Sequence, residues 1–144
     1  MGFIMHDDGE SSNLQIFLTG EQTKPSTWGL GLCNDTLVEA DRISDIAGEP
    51  YGTESGYSRQ LIAADSGAWT MTKTDPAFTM AADPRAFVAS GASMGTVNTW
   101  FITNEGLSGE LGGSANLIAS GPISPSRTVA DGDTLNVTAY LSVK

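Results

Sequence analysis

The stretch TVADGDTLNVTAYLSV, Thr128 to Val143, decides the reading of the fold. Leu135, Val137, Ala139, Leu141 and Val143 hold five successive apolar positions at period two. Successive side chains of a strand point to opposite sides, so this alternation predicts a half-buried β-strand. Asp131, Gly132 and Asp133 precede it, and they could be arms of a cation site or the polar tip of a turn. Set against the calcium-loop pattern, Asp131 and Asp133 fill the first two acidic positions. Leu135 then takes the third, Asn136 replaces the glycine, and Ser142 stands where the bidentate Glu belongs. The pair therefore reads as a hairpin tip that launches the last strand, with Gly132 able to take a positive φ.

The same period runs through most of the chain. NLQIFLTG (13–20), TWGLGLCN (27–34), GYSRQLI (56–62), AWTMT (68–72), AFTMAA (77–82), GTVNTWFIT (95–103) and SANLIASG (114–121) are further strand candidates. Gly29 and Gly31 thin one face of the second of these, which allows a large ring to approach closely. Clusters of Gly, Pro, Asp and Asn separate the candidates, a spacing that predicts a β-sandwich or barrel. One segment departs from the period: NDTLVEADRISDIAGEP (34–50), where Thr36 and Glu39 fit a capping box and Gly48 and Pro50 a stop. It predicts a short helix. Asn104 to Ser114 reads as a long glycine-rich hairpin loop.

At 144 residues the chain fits one domain. The expected fold is all-β: a single antiparallel β-sandwich, jelly-roll-like, with about eight strands and at most one short helix, an Ig-like sandwich being the alternative. Residues 1–13 are expected to be a flexible polar arm and residues 14–144 the sandwich domain.

Seventeen acidic against seven basic residues give a formal charge of −10. The basic residues Lys24, Arg42, Arg59, Lys73, Arg85, Arg127 and Lys144 lie far apart, which disfavours nucleic acid and anionic membrane as partners. No basic, apolar leader precedes the domain, so a cytosol-like compartment is expected for synthesis. No segment approaches the apolar length of a membrane span.

Candidate chemistry is sparse. GASMG (91–95) has the letters of the hydrolase nucleophile elbow around Ser93, but a strand pattern follows it, and the single histidine, His6, lies at the other end of the chain. GLGLCN (29–34) starts like a dinucleotide fingerprint but sits inside a strand pattern. Cys33 and His6, one of each, make no zinc set, and Cys33 reads as a buried free thiol. Asp7, Asp8 and Glu10, and the series Asp35, Glu39, Asp41, Asp45, Glu49 and Glu54, read as solvated faces, with a calcium site as the alternative for the second. Trp28, Trp69 and Trp100 are expected in the core or an intersubunit seam rather than on a sugar platform. No catalytic, cofactor-binding or metal-binding residue is assigned, and no cofactor is expected.

Three stretches, IFLTGEQTKPSTWGLGLCNDT (16–36), DIAGEPYGTESGYSRQLI (45–62) and ASGPISPSRTVADGDTLNVTAYLS (119–142), carry a resemblance. Together they resemble a family of small virion structural proteins of tailed bacteriophages, whose members share an LGLCNDT-like strand, a GEP…GYxRQ segment and a GPLxxSRTVxxGDTLxVT ending. The resemblance spans roughly residues 14 to 143. It implies a non-enzymatic head decoration or cement protein on the outer capsid surface, assembled in the host bacterial cytoplasm. The implied partners are the major capsid protein or other virion proteins and further copies of the chain, a trimer being preferred. A tail, fibre or baseplate component, or a glycan-binding module, is the alternative.

Overall fold

The computed structural model describes residues 2–104 and 116–143. Among these residues ten strands form three antiparallel sheets. The five-stranded sheet has the order β1 (Ile4–Met5), β8 (Leu117–Val129), β7 (Gly95–Thr103), β2 (Thr27–Cys33), β3 (Gln60–Ala63). The three-stranded sheet has the order β10 (Tyr140–Val143), β5 (Ala77–Ala82), β4 (Trp69–Thr74), and β6 (Arg85–Val88) pairs with β9 (Thr134–Val137). The architecture is an all-β sandwich, as the period-two pattern predicts.

Its main core lies between the sheets. Leu30, Leu32, Ile62, Trp100, Ile102 and Ile118 from the large sheet meet Ala82, Phe87 and Val137 from the smaller ones and Ala139 from the crossing between them. The alternate residues of the same strands fill a second cluster on the other face of the large sheet. Cys33, Phe101 and Leu117 there pack under Leu37, Ile43 and Ile46 of the 34–50 segment. β2 and β7 are thus covered on both sides, so both carry continuous apolar runs. Gly31 lies beneath the ring of Phe101, and Gly121 beneath that of Trp100, each too close for a Cβ. This is the close approach expected of a glycine-thinned strand.

Several expectations change. NLQIFLTG is not a strand: residues Asp7–Leu14 form helix α1, which continues as a π-helical turn, Gln15–Thr19, and ends at Gly20 in the left-handed region (φ 68°). An apolar run of this length fits either element, and Asp7, Asp8 and Glu10 in the first turn favour a helix through its dipole. Residues 2–13 are folded rather than a free arm. β1 pairs with β8, and Gly9 rests on the backbone of Ile118. The 34–50 segment holds one short 3-10 turn, Ile43–Asp45, whose start is set by the Asp45 carboxylate accepting from the Arg42 N–H (2.9 Å) and not by Thr36 and Glu39.

The terminal alternation is divided between sheets. β9 pairs with β6, the chain crosses at Thr138 and Ala139, and β10 pairs with β5. The turn at Asp131–Asp133 is therefore a corner between sheets, not the tip of a β8–β9 hairpin, because β8 pairs with β7. The glycine-rich connection 105–115 lies outside the described residues. Its flanks, Asn104 and Asn116, are tied by an N–H to side-chain oxygen bond of 2.8 Å.

Candidate docking surface

The residues singled out in the sequence are engaged in structural roles. The Ser93 hydroxyl donates to the Val129 carbonyl (2.9 Å) and accepts from the Gly95 N–H (3.0 Å), which fastens a turn onto β8. Asp131 accepts from the Gly91 N–H (2.8 Å), and Asp133 from the Ala130 N–H (3.2 Å); Gly132 between them has φ 85°. Asp35 and Asp41 likewise cap the N–H groups of Gly48 and Val38, both at 2.7 Å. These carboxylates satisfy loop backbone. Cys33 is buried in β2, and desolvation pushes its thiol up to about 12.

Glu49 is a correction, because it lies in the interior rather than on a solvated face. Both carboxylate oxygens accept from Arg59, Nε to Oε1 and Nη2 to Oε2, each at 2.8 Å. The Tyr57 hydroxyl donates to the same Oε1 at 2.8 Å, and both ion-pair side chains are fully buried. Arg59 lies between the rings of Tyr51 and Phe101, at 5.9 and 5.3 Å from their centroids. Burial opposes the guanidinium charge, but the Glu49 carboxylate more than offsets it and raises the Arg59 pKa. Burial and the same carboxylate push Tyr57 well above its ordinary value. The cluster pins the 49–59 loop to β2, since the Leu32 N–H also donates to the Tyr57 oxygen (2.9 Å).

His6 is the second buried polar group that the sequence left on a mobile arm. Its Nε2 lies 2.8 Å from Ser120 Oγ, the imidazole tautomer deciding which donates, and Nδ1 has no hydrogen-bond partner among the described residues. Both side chains are fully enclosed, which keeps the pair from any substrate in solvent. It is a latch: it holds the start of α1 on β8, together with the His6 N–H donating to the Ile118 carbonyl (3.0 Å).

What remains uncommitted is apolar. A groove of about 650 Å³ opens between the large sheet and the three-stranded one. Trp28, Ile102 and Ile118 line it from the large sheet, and Trp69, Met71, Met80 and Leu141 from the small one. Met71, Met80 and Leu141 are directly paired across three strands, so strand register puts them on one face. Phe78 and Val143 continue that face by period two. It is poorly covered, Met71 and Val143 each being 64% exposed. At the groove's lip stands the end of α1 and its π-turn, with Phe17 89% and Leu18 72% exposed. A smaller hollow lined by Leu14, Phe17, Leu18, Lys24 and Trp28 joins this knob to the groove. Lys24 is held at the rim by its Nζ donating to the Ala64 carbonyl (2.7 Å), and Trp69 by its indole donating to that of Ala63 (2.9 Å).

Of the three tryptophans, Trp100 is a core residue, while Trp28 and Trp69 form half-buried walls of the groove. Sequence reasoning missed the groove, although the unbroken apolar run Ile16-Phe17-Leu18 marked the knob. No protein-family model matches this chain, and a comparison with curated proteins returns no match. Among the described residues no helix is long and apolar enough to cross a membrane.

Proposed function

We propose that this chain is a non-enzymatic structural protein of a tailed-phage virion, in which it serves as a head decoration protein docked on the outer capsid surface. The observation that carries the reading is the apolar groove and knob left in water on an otherwise acidic sandwich. Large contiguous apolar patches mark surfaces that another protein covers. The resemblance of the 16–36, 45–62 and 119–142 stretches supplies the particle in which that protein is found. A decoration protein stabilises a shell by mass action, because it binds the assembled surface and not the separated subunits. The remaining surface suits this work, since its strong negative charge opposes non-specific association before docking.

Mass spectrometry of separated heads and tails tests the assignment. The chain is expected in the head fraction at a fixed ratio to the major capsid protein. Recovery with tails would replace the decoration role by a tail or baseplate one, and its absence from purified particles would refute the virion role altogether.

A further inference from the structure

We propose that the groove seats a second copy of this chain, with the Phe17–Leu18 knob of one copy entering the groove of the next. The inference rests on the docking reading of this surface and names its occupant. Three observations favour a second copy over an unrelated partner.

The first is complementarity within one chain. The molecule carries a convex apolar projection and a concave apolar groove side by side, and its own knob does not cover its own groove, Phe17 remaining 89% exposed. A projection and a hollow on the same protein join copies head to tail, and the ring closes where the rotation permits.

The second is charge. Residues 13–20 contain no charged side chain. The groove is lined by one cation and one anion, Lys24 and Asp65, and the face beyond it carries the Lys73–Asp75 pair at 3.4 Å. This seam is therefore formally neutral on a chain of charge −10. Asp35, Glu39, Asp41 and Asp45 belong to the segment that covers the opposite face of the large sheet. Two copies can meet at the groove without pressing their surplus negative charge together, which they could not do at the acidic loops.

The third is area. Leu14, Phe17, Leu18, Met71, Phe78 and Val143 leave on the order of 600 Å² of apolar side chain in water, the top of what single chains expose and most of the roughly 800 Å² per partner in a standard interface. Phe17 is the anchor of the kind that dominates such contacts, a large ring entering a concave site.

Sedimentation equilibrium of the full chain tests this, with Phe17→Asp as the knob variant, Met71→Asp as the groove variant and Val88→Asp as an exposed control outside both. The wild type and the control are expected to self-associate, and each of the other two to weaken association by about 30-fold or more. An equimolar mixture of the knob and groove variants should regain association, because one retains an intact groove and the other an intact knob. Far-UV circular dichroism should match the wild type, as should thermal melts at concentrations where every protein is monomeric, the substituted positions being exposed; Phe17→Ser and Met71→Thr give the same comparison without a buried-charge effect. A wild type that stays monomeric at about 100 µM, well above the range of weak interfaces, overturns the proposal. So does a knob or groove variant that associates like the wild type. A monomer still found on virion heads would sink this inference and leave the virion role standing, whereas an oligomer missing from virions would do the reverse.

Discussion

Arg59→Met isolates the energetics of the buried ion pair. The variant keeps a side chain that can fill the slot between Tyr51 and Phe101 but leaves Glu49 enclosed with only the Tyr57 hydroxyl as a partner. Removing one member of a buried pair strands the other charge, at a cost of about 3–5 kcal/mol. For a chain of this size each kcal/mol moves the melting temperature by roughly 3 °C, so a fall of roughly 9–15 °C is expected. The double variant Glu49→Gln with Arg59→Met removes both charges, and the Gln carbonyl can still accept from Tyr57. It also removes Arg59 Nη1, which among the described residues is buried without a hydrogen-bond partner, a costly arrangement. Its loss should stay within about 2 kcal/mol, so the second substitution rescues much of the first. Thermal melts and urea titrations at neutral pH on all four members of the cycle measure this. A double variant as unstable as Arg59→Met alone would refute the reasoning, as would a single variant within about 1 kcal/mol of the wild type.

The other groups give predictions of the same kind. Burial lowers the His6 pKa below its ordinary 6.5, although the Val38, Glu39 and Asp41 carbonyls and the Asp41 carboxylate near the ring favour the charged form. The unfolded chain then binds a proton near pH 6.5 that the folded chain refuses, so stability present above pH 6.5 is lost as pH falls below it. His6→Gln, which keeps a donor toward Ser120, should flatten that part of the stability profile, and an unchanged slope would count against the latch. Cys33, held up at about 12 by burial, should resist aromatic disulfide reagents at pH 8 in the native protein and react at once in denaturant. Rapid native labelling would show that β2 opens. Asp131→Ala should cost about 1 kcal/mol through the lost bond to the Gly91 N–H, and millimolar calcium should leave the wild-type melting temperature unchanged. A calcium-dependent rise would return Asp131 and Asp133 to the cation reading.

Much of the fold was legible because period two survives wherever a strand has one wet and one dry side. β4, β5 and β7 fall where that pattern puts them, and Gly31 marks the place where Phe101 crosses β2. Legibility failed where the deciding contact is distant in sequence. Nothing near Glu49 says that Arg59 and Tyr57 will return to it, so a carboxylate among six read as solvated. His6 looked mobile because its partner Ser120 is 114 residues away. The apolar groove was hidden for a different reason. Met71 and Met80 alternate in their strands just as Trp100 and Ile102 do in theirs, and all four face inward. Alternation reports which way a side chain points, whereas exposure depends on how far the opposing sheet extends over it. A core residue and an uncovered groove residue are therefore identical in one-dimensional pattern. They separate only when a neighbour is found to be missing, which is why the apolar run Ile16-Phe17-Leu18 reads as a buried strand until the groove beside it is seen.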